Sequence, residues 1–155
     1  GSAREARIDE QEIRDSLDGS LAKTEEFTRA VRSLPAVTED GQSECPFAKE
    51  LYDKKEELQA ALQGQLEALR ERLRELLAEI QRCWHNYTVV SAHEDRLHSD
   101  GVREHFSQAE VELAARYRRY IRLRDELMQV IQALEKAIRE AREWRAQHPA
   151  DRNAA

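Results

Sequence analysis

The apolar residues between positions 62 and 97 recur at the spacing of a coiled-coil seam. They fill positions a and d of a seven-residue repeat over about five heptads, with Glu94 as the polar break. The a positions are Leu66, Leu73, Ile80 and Tyr87, and the d positions are Leu62, Leu69, Leu76, Cys83, Val90 and Leu97. We therefore predict a long helix that begins near Pro46, a residue suited to a first turn, and ends at Gly101, which can close a helix.

The segment from 102 to 148 repeats this pattern, with Arg116, opposite Tyr87, as the exception. Its a positions are Phe106, Leu113, Tyr120, Leu127, Leu134 and Ala141, and its d positions are Ala109, Leu123, Val130, Ala137 and Trp144. Because only about four residues separate the two helices, we expect them to run antiparallel as a hairpin over 46–148, with the turn near 98–102. In this alignment Ile80 faces Leu123.

Residues 3–34 carry a weaker seam, which still predicts a helix. Its a positions are Leu17, Thr24 and Val31, and its d positions are Ile13, Ser20, Phe27 and Leu34. Serine and threonine within the seam predict looser packing than in the hairpin. Residues 35–45, PAVTEDGQSEC, have the proline, glycine and polar residues of a linker. This linker lets the first helix fold back along the second.

Both hairpin helices carry a second apolar stripe at heptad position e. It consists of Leu77, Trp84, Tyr117, Ile131 and Ile138. A two-stranded coil would leave these side chains exposed, so we expect the first helix to pack on this side. The first helix is too short to reach the turn, which should leave Trp84 and Tyr117 uncovered. The pattern thus predicts an all-α fold, an elongated antiparallel three-helix coiled-coil bundle with a long projecting helical hairpin.

The composition agrees with long helices and disfavours several classes of protein. Charged residues make up 36% of the chain, with five glycines and three prolines, a balance typical of coiled coils. The net charge of −6 disfavours a general nucleic-acid binder. The sequence has no apolar run of bilayer length and no signal-peptide core. Two cysteines, Cys45 and Cys83, make no disulfide framework, which favours an intracellular, cytoplasmic location.

The two ends of the chain are expected to lie outside the bundle. Residues 1–2, Gly-Ser in place of an initiator methionine, are typical of an expression scar, so we expect the chain to be a fragment of a larger protein. Residues 149–155, which begin at a proline, are expected to form a disordered tail.

Four of the five histidines lie between positions 83 and 106, which raises the question of a metal or catalytic centre. A zinc site commonly takes histidines at i and i+4 on one helix face, and none of these histidines has that spacing. Cys83 points into the seam while His85 points outward. We therefore predict no metal, no cofactor, no small-molecule substrate and no enzymatic activity. The histidines beside the turn are candidates for pH-sensitive contacts.

The stretch RYRRYIRLR, residues 116–124, contains five arginines interleaved with tyrosines. Two interpretations stay open. In the first, the stretch is a solvated helix face with ion pairs from Glu112 to Arg116 and from Arg122 to Glu126. In the second, it is a binding surface, because tyrosine, tryptophan and arginine are enriched at interaction hot spots.

We predict a non-enzymatic scaffold or adaptor module that docks a partner protein or a second copy through the distal hairpin. The candidate partner-binding residues are Trp84, Tyr87, Tyr117, Arg118, Arg119, Ile121 and Arg122. The alternative is an anionic ligand, a phosphoinositide head group or RNA, held by the arginines of 116–124. Nucleic acid and membrane are otherwise disfavoured as partners, because the chain lacks a broad basic face.

Overall fold

The computed structural model describes residues 8–94 and 100–147, with side chains described over 8–93 and 107–144. These residues form three helices, which are α1 (Glu10–Arg32), α2 (Ala48–Glu94) and α3 (Asp100–Gln147). Ion pairs join α1 to α2, α1 to α3 and α2 to α3, which confirms the predicted all-α three-helix bundle. The expected scar and tail lie outside the described residues.

α1 begins at Glu10 because the preceding residue caps it. The carboxylate of Asp9 accepts a hydrogen bond from the backbone N–H of Glu12 at 3.0 Å, which is the geometry of a helix N-cap. The first turn of α1 is acidic and its last turn is basic, and both charges stabilise the helix dipole. The helix is therefore shorter than the predicted segment 3–34.

The linker between α1 and α2 contains a tight turn. The backbone N–H of Thr38 donates to the carbonyl of Gln42 at 2.8 Å, and that of Gly41 donates to the carbonyl of Thr38 at 2.9 Å. Gly41 has a φ of 84°, a left-handed conformation that glycine adopts without the steric penalty of a side chain. The Tyr52 hydroxyl in α2 donates to the carbonyl of Pro35 at 2.8 Å, so the linker is tied to the start of α2.

The boundary between α2 and α3 differs from the one expected at Gly101. α2 ends at Glu94 and α3 begins at Asp100, so Gly101 lies in the first turn of α3 and does not close α2. An acidic residue at a helix N-terminus is stabilised by the helix dipole, which favours a start at Asp100. Of the turn predicted at 98–102, the last three residues are helical, and residues 95–99 lie outside the described part of the chain.

The helices contribute to two compact units. Unit 1 comprises the N-terminal residues up to Ile13 together with Glu71–Met128, and unit 2 comprises Arg14–Arg70 together with the residues from Gln129 onward. Each unit takes residues from α1, α2 and α3. Each therefore has its own three-helix core, and the candidate site lies in unit 1.

The core of unit 2 follows the predicted heptads. Ser20 is fully buried there, and its hydroxyl donates to the carbonyl of Ser16 at 2.7 Å, a local bond that lets a helix bury a serine. Trp144 lines a cavity of about 270 Å³ with Phe27 and Val31 of α1, in agreement with its seam position. The buried apolar residues are Leu17, Phe27, Val31, Leu62, Leu66, Leu69, Val130, Ile131, Leu134, Ala137, Ile138 and Ala141.

The core of unit 1 is built on the same seam. Its buried side chains are Ile8 and Ile13 near the N-terminus, Leu76, Ile80 and Cys83 from α2, and Tyr120, Leu123 and Leu127 from α3. Trp84 contacts Tyr117, and Tyr87, further along α2, contacts Glu110, which is earlier in α3. The two helices therefore run in opposite directions, which confirms the antiparallel hairpin.

α1 packs on a different side of the hairpin from the one expected. In unit 1, Glu12 pairs with Arg72, and Glu10 pairs with Arg119 at 3.3 Å. Both arginines occupy heptad position g, whereas the apolar stripe lies at e. Leu77, at position e, is 41% exposed. The prediction that α1 covers the e stripe is therefore wrong, and α1 instead packs on the side where Arg72 and Arg119 pair with its acidic first turn.

In unit 2, α1 also packs on the g side of the hairpin. Gln65, at position g, donates to the Ser16 hydroxyl at 3.3 Å. Ile138, at position e, is buried nonetheless, and it lies in a groove whose walls include Arg70. The Arg70 guanidinium reaches the Glu135 carboxylate at 3.7 Å. Long polar side chains of the hairpin, rather than α1, therefore cover this part of the stripe.

Candidate protein-interaction surface

Three aromatic side chains form a cluster on the side of unit 1 that α1 leaves bare. The rings of Trp84 and Tyr87 stack, with centroids 5.7 Å apart and planes 20° apart. The Trp84 and Tyr117 centroids are 5.4 Å apart, with an interplanar angle of 43°. Trp84 remains 52% exposed. The cluster therefore presents to solvent an exposed tryptophan ring that is held in contact with two half-buried tyrosines.

Helical spacing and the antiparallel hairpin together build this cluster. Trp84 and Tyr87 are three residues apart on α2, so they share one helix face. Tyr117 joins them from α3, as its position e predicts. The Tyr87 hydroxyl donates to the Glu110 carboxylate at 3.2 Å, which fixes the ring that stacks on Trp84. The sequence predicted that α1 leaves Trp84 and Tyr117 uncovered, and Trp84 is 52% exposed whereas Tyr117 is half-buried. The hydrogen bond from Tyr87 to Glu110 was not predicted.

Two exposed arginines lie on the outer face of α3, at heptad positions f and c. Arg118 and Arg122 are one helical turn apart, and neither forms an ion pair or hydrogen bond with any other residue that the structure describes. The predicted ion pairs from Glu112 to Arg116 and from Arg122 to Glu126 are not formed between these side chains. Both exposed guanidinium groups are therefore available to an external negative charge.

The other two predicted residues have different surroundings. Arg119 pairs with Glu10, so it belongs to the contact between α1 and α3 within unit 1. Ile121 is half-buried and lies one turn after Tyr117 on the same helix face. We define the docking surface as Trp84, Tyr87, Tyr117, Arg118 and Ile121.

Unit 1 also has a groove on the g side of its hairpin, which the sequence reasoning missed. The groove has a volume of about 440 Å³, and its walls include Cys83, Val90, Leu113, Arg116 and Tyr120. It was missed because α1 was expected on the opposite side of the hairpin, and the candidate residues were sought only there and along residues 116–124. The apolar residues at positions a and d that form its walls could have indicated the groove in the sequence.

Two of the ionisable side chains that line this groove have raised pKa values. Burial raises the pKa of the Cys83 thiol above its ordinary value of 9.0, and the positive charge of Arg116 opposes this in part. Burial likewise raises the pKa of the Tyr120 phenol above its ordinary value of 10.0. The Cys83 thiol donates to the Leu113 carbonyl at 3.3 Å. A buried thiol with a raised pKa is a weak nucleophile at neutral pH.

The histidine region shows no metal centre as far as the structure describes it. Among the described residues, no group of three or more His, Cys, Asp or Glu side chains is placed to hold a metal ion. His85 and His93 are exposed, and the side chains of His98 and His105 lie outside the described part. The suggestion of pH-sensitive contacts at the turn therefore stays a prediction.

Known proteins give no further guide to the docking surface. A comparison of the chain with protein-family models, curated proteins and solved structures finds no match. Within the described ranges, no helix has an apolar stretch of the length that a bilayer crossing needs. We therefore infer the function from the chemistry and exposure of the residues in unit 1.

Proposed function

We propose that this protein is a non-enzymatic interaction module that docks a helix of a partner protein on the docking surface of unit 1. The observation that carries the proposal is the exposed ring of Trp84, which contacts both Tyr87 and Tyr117. Tryptophan and tyrosine are the residue types that dominate binding hot spots. A contiguous exposed apolar patch, unlike a single exposed residue, is a typical mark of an interaction site.

The fixed geometry of the aromatic cluster favours binding. Association costs about 0.5–1.5 kcal/mol for each mobile side chain that it orders. Trp84 is already stacked on Tyr87, whose hydroxyl is held by Glu110. A partner that covers these rings therefore buries apolar surface at a lower entropic cost than it would on mobile side chains.

The exposed arginines of α3 in unit 1 favour an acidic partner. Arg118 and Arg122 are exposed and form no ion pair within the described ranges of the chain. Complementary charge around an interface speeds association and excludes partners of like charge. We therefore expect an amphipathic helix with large apolar residues against Trp84 and with aspartate or glutamate beside them.

Binding is favoured over catalysis by the chemistry of the groups that are present. The most nucleophilic residue type in unit 1, Cys83, is buried and its thiol has a raised pKa, which suppresses reactivity. A scaffold or adaptor role is consistent with a helical surface that needs no cofactor. Cys45 and Cys83 are both free, which suits a reducing, cytoplasmic location.

Tryptophan fluorescence tests this proposal, because Trp144→Phe leaves Trp84 as the single tryptophan of the chain. The probe is an amphipathic helical peptide with a leucine stripe flanked by glutamates. The control peptide has the same stripe flanked by lysines. We expect saturable binding and a blue shift of the Trp84 emission with the acidic peptide alone.

Variants of the docking surface make the test specific. Tyr117→Ala and Arg118→Glu should each weaken binding of the acidic peptide by about tenfold, with helicity unchanged by circular dichroism. The matched control is Val111→Ala, which truncates another exposed apolar side chain of α3 and should bind as the wild type does. Equal binding of the two peptides, or no shift with either, would contradict the proposal.

A second candidate function is binding of an anionic ligand. Arg118 and Arg122 favour it, because neither has an ion-pair partner among the described residues. Phosphate groups of a phosphoinositide head group or of RNA suit such guanidinium groups. Titration with inositol hexakisphosphate and with a short single-stranded RNA, at low and moderate salt, separates the candidates. Binding that is lost at moderate salt and on Arg118→Glu would favour the anion. Peptide binding that persists at moderate salt and is lost on Tyr117→Ala would favour the helix.

A further inference from the structure

The groove of unit 1 is a second surface, separate from the docking surface. It lies on the g side of the hairpin, whereas Trp84 and Tyr117 lie on the e side. α1 packs on the g side through Glu10, which pairs with Arg119. The walls of the groove, however, include no residue of α1. The groove is therefore a part of the g side that α1 does not cover.

The walls of the groove resemble a helix-packing surface without its third helix. Val90, Leu113 and Tyr120 occupy seam positions and line it. Val89, at its edge, is 40% exposed. Apolar seam residues of this kind are normally covered where a third helix packs on a hairpin. The sequence pattern of the groove is therefore that of an interface.

Tyr120 adds a polar group to the walls of the groove. Tyr120 is 1% exposed, and its hydroxyl oxygen is buried without a hydrogen-bond partner in the described part of the chain. A buried hydroxyl without a partner carries a desolvation penalty that an added acceptor would recover. Apolar walls and an unsatisfied polar group thus occur together in this groove.

The rim of the groove carries charges that complement one another across a two-fold axis. Glu112 and Arg116 are four residues apart on α3, and both line the groove. Neither forms an ion pair with a described residue. A two-fold axis between them would set Glu112 of one copy against Arg116 of the other, and the reverse. The same two side chains would then form two ion pairs.

We propose that the groove is a self-association site, at which two copies of this chain pack their hairpins antiparallel around a two-fold axis between Glu112 and Arg116. The joined hairpins form a local four-helix bundle, in which the apolar walls of each groove cover those of the other. A partner of uniform charge fits this rim less well. An acidic helix would pair with Arg116 but would be repelled by Glu112, and a basic helix would meet the opposite problem.

Charge reversal combined with mixing tests this arrangement. Glu112→Arg makes both rim positions basic, and Arg116→Glu makes both acidic, so each variant alone faces like charge across the axis. We expect sedimentation equilibrium to show a wild-type dimer that each variant weakens by at least about tenfold. An equimolar mixture of the two variants should recover a heterodimer, because every pair across the axis then joins opposite charges.

Arg118→Glu is the matched control, because it makes the same charge change on α3 but within the docking surface. It should dimerise as the wild type does, and circular dichroism should show equal helicity for all variants. A wild type that stays monomeric up to several hundred micromolar would overturn the proposal. So would rim variants that dimerise as tightly as the wild type, or a dimer that is lost on Arg118→Glu and kept in the rim variants.

The thiol of Cys83 supplies an independent measurement, since it lines the groove. Dimerisation should slow the alkylation of Cys83 as the protein concentration rises. Cys45 lies in the linker, outside the groove, and should react at a rate that does not depend on concentration. A constant rate for Cys83 over the range in which sedimentation shows a dimer would place the dimer interface elsewhere and overturn the proposal.

Discussion

The guanidinium of Arg119 lies 3.3 Å from the carboxylate of Glu10, and this pair marks the side of the hairpin on which α1 packs in unit 1. Arg119 occupies heptad position g, as does Arg72, which pairs with Glu12. Because α1 takes the g side, the e side with Trp84 is left uncovered. The location of the docking surface thus follows from the side of the hairpin that α1 takes.

Reversal of one charge in this pair should destabilise the fold modestly, and reversal of both should restore it. The side chains of Arg119 and Glu10 are 45% and 28% exposed, so the pair should contribute no more than about 1 kcal/mol. Glu10→Arg should lower the free energy of unfolding by about that amount, as urea denaturation measures it. Combining it with Arg119→Glu should recover most of the loss. A double variant no more stable than the single one would show that the pair does not hold α1.

The heptad pattern predicted the fold because burial of the apolar seam determines it. Leu62, Leu69 and Leu76, all at position d, are fully buried. The antiparallel direction of α2 and α3 followed from the short connection between two long helices. The exposure of Trp84 was also predicted, but from the short length of α1, whereas in the structure α1 leaves Trp84 uncovered because it packs on the g side.

The side chosen by α1 could not be predicted from apolar residues alone. In unit 2 the e stripe is covered without a third helix. Arg70 and its neighbours line the groove that contains Ile138. The helix boundary at Gly101 was wrong because Asp100 starts α3 immediately before it. In both cases a rule about one residue type was not enough to predict the arrangement.

A buried leucine and an exposed leucine of α2 should respond differently to truncation. Leu69 is fully buried in unit 2, whereas Leu77 of unit 1 is 41% exposed. Leu69→Ala should lower the free energy of unfolding by about 2–5 kcal/mol, through lost burial and the cavity left behind. Leu77→Ala should lower it by less than about 1 kcal/mol. Comparable losses in urea denaturation would mean that the e side is covered and would remove the argument for a bare surface there.

Alanine substitutions at Gly41 and Gly64 should change stability in opposite directions. An added Cβ meets no atom within 4 Å at either position, so the backbone conformation decides the sign. Gly41 has a φ of 84°, and Gly41→Ala should destabilise the fold by about 1–2 kcal/mol. Gly64 lies inside α2, and Gly64→Ala should stabilise it by about 0.5–1 kcal/mol. Two stabilising results in urea denaturation would show that the left-handed turn is absent in solution.

Cys83 and Tyr120 should make unit 1 less stable at alkaline pH. Burial raises the pKa of both groups above their ordinary values of 9.0 and 10.0, so the folded state favours the protonated forms. Their contribution to stability is complete below those ordinary values. It is lost as the pH rises through the raised values, because the unfolded chain releases protons that the folded chain retains. We expect the free energy of unfolding to fall between about pH 9 and pH 11.

Urea denaturation over a series of pH values measures this fall, at a low protein concentration so that self-association does not contribute. Cys83→Ala and Tyr120→Phe should each reduce the slope of the free energy against pH, and the double variant should reduce it further. At neutral pH, Tyr120→Phe should not destabilise the protein, because the hydroxyl that it removes is buried without a partner among the described residues. An unchanged alkaline slope in the double variant would assign the loss of stability to other groups. A destabilised Tyr120→Phe variant would show that the hydroxyl has an acceptor in solution, which would remove one of the arguments for self-association at the groove.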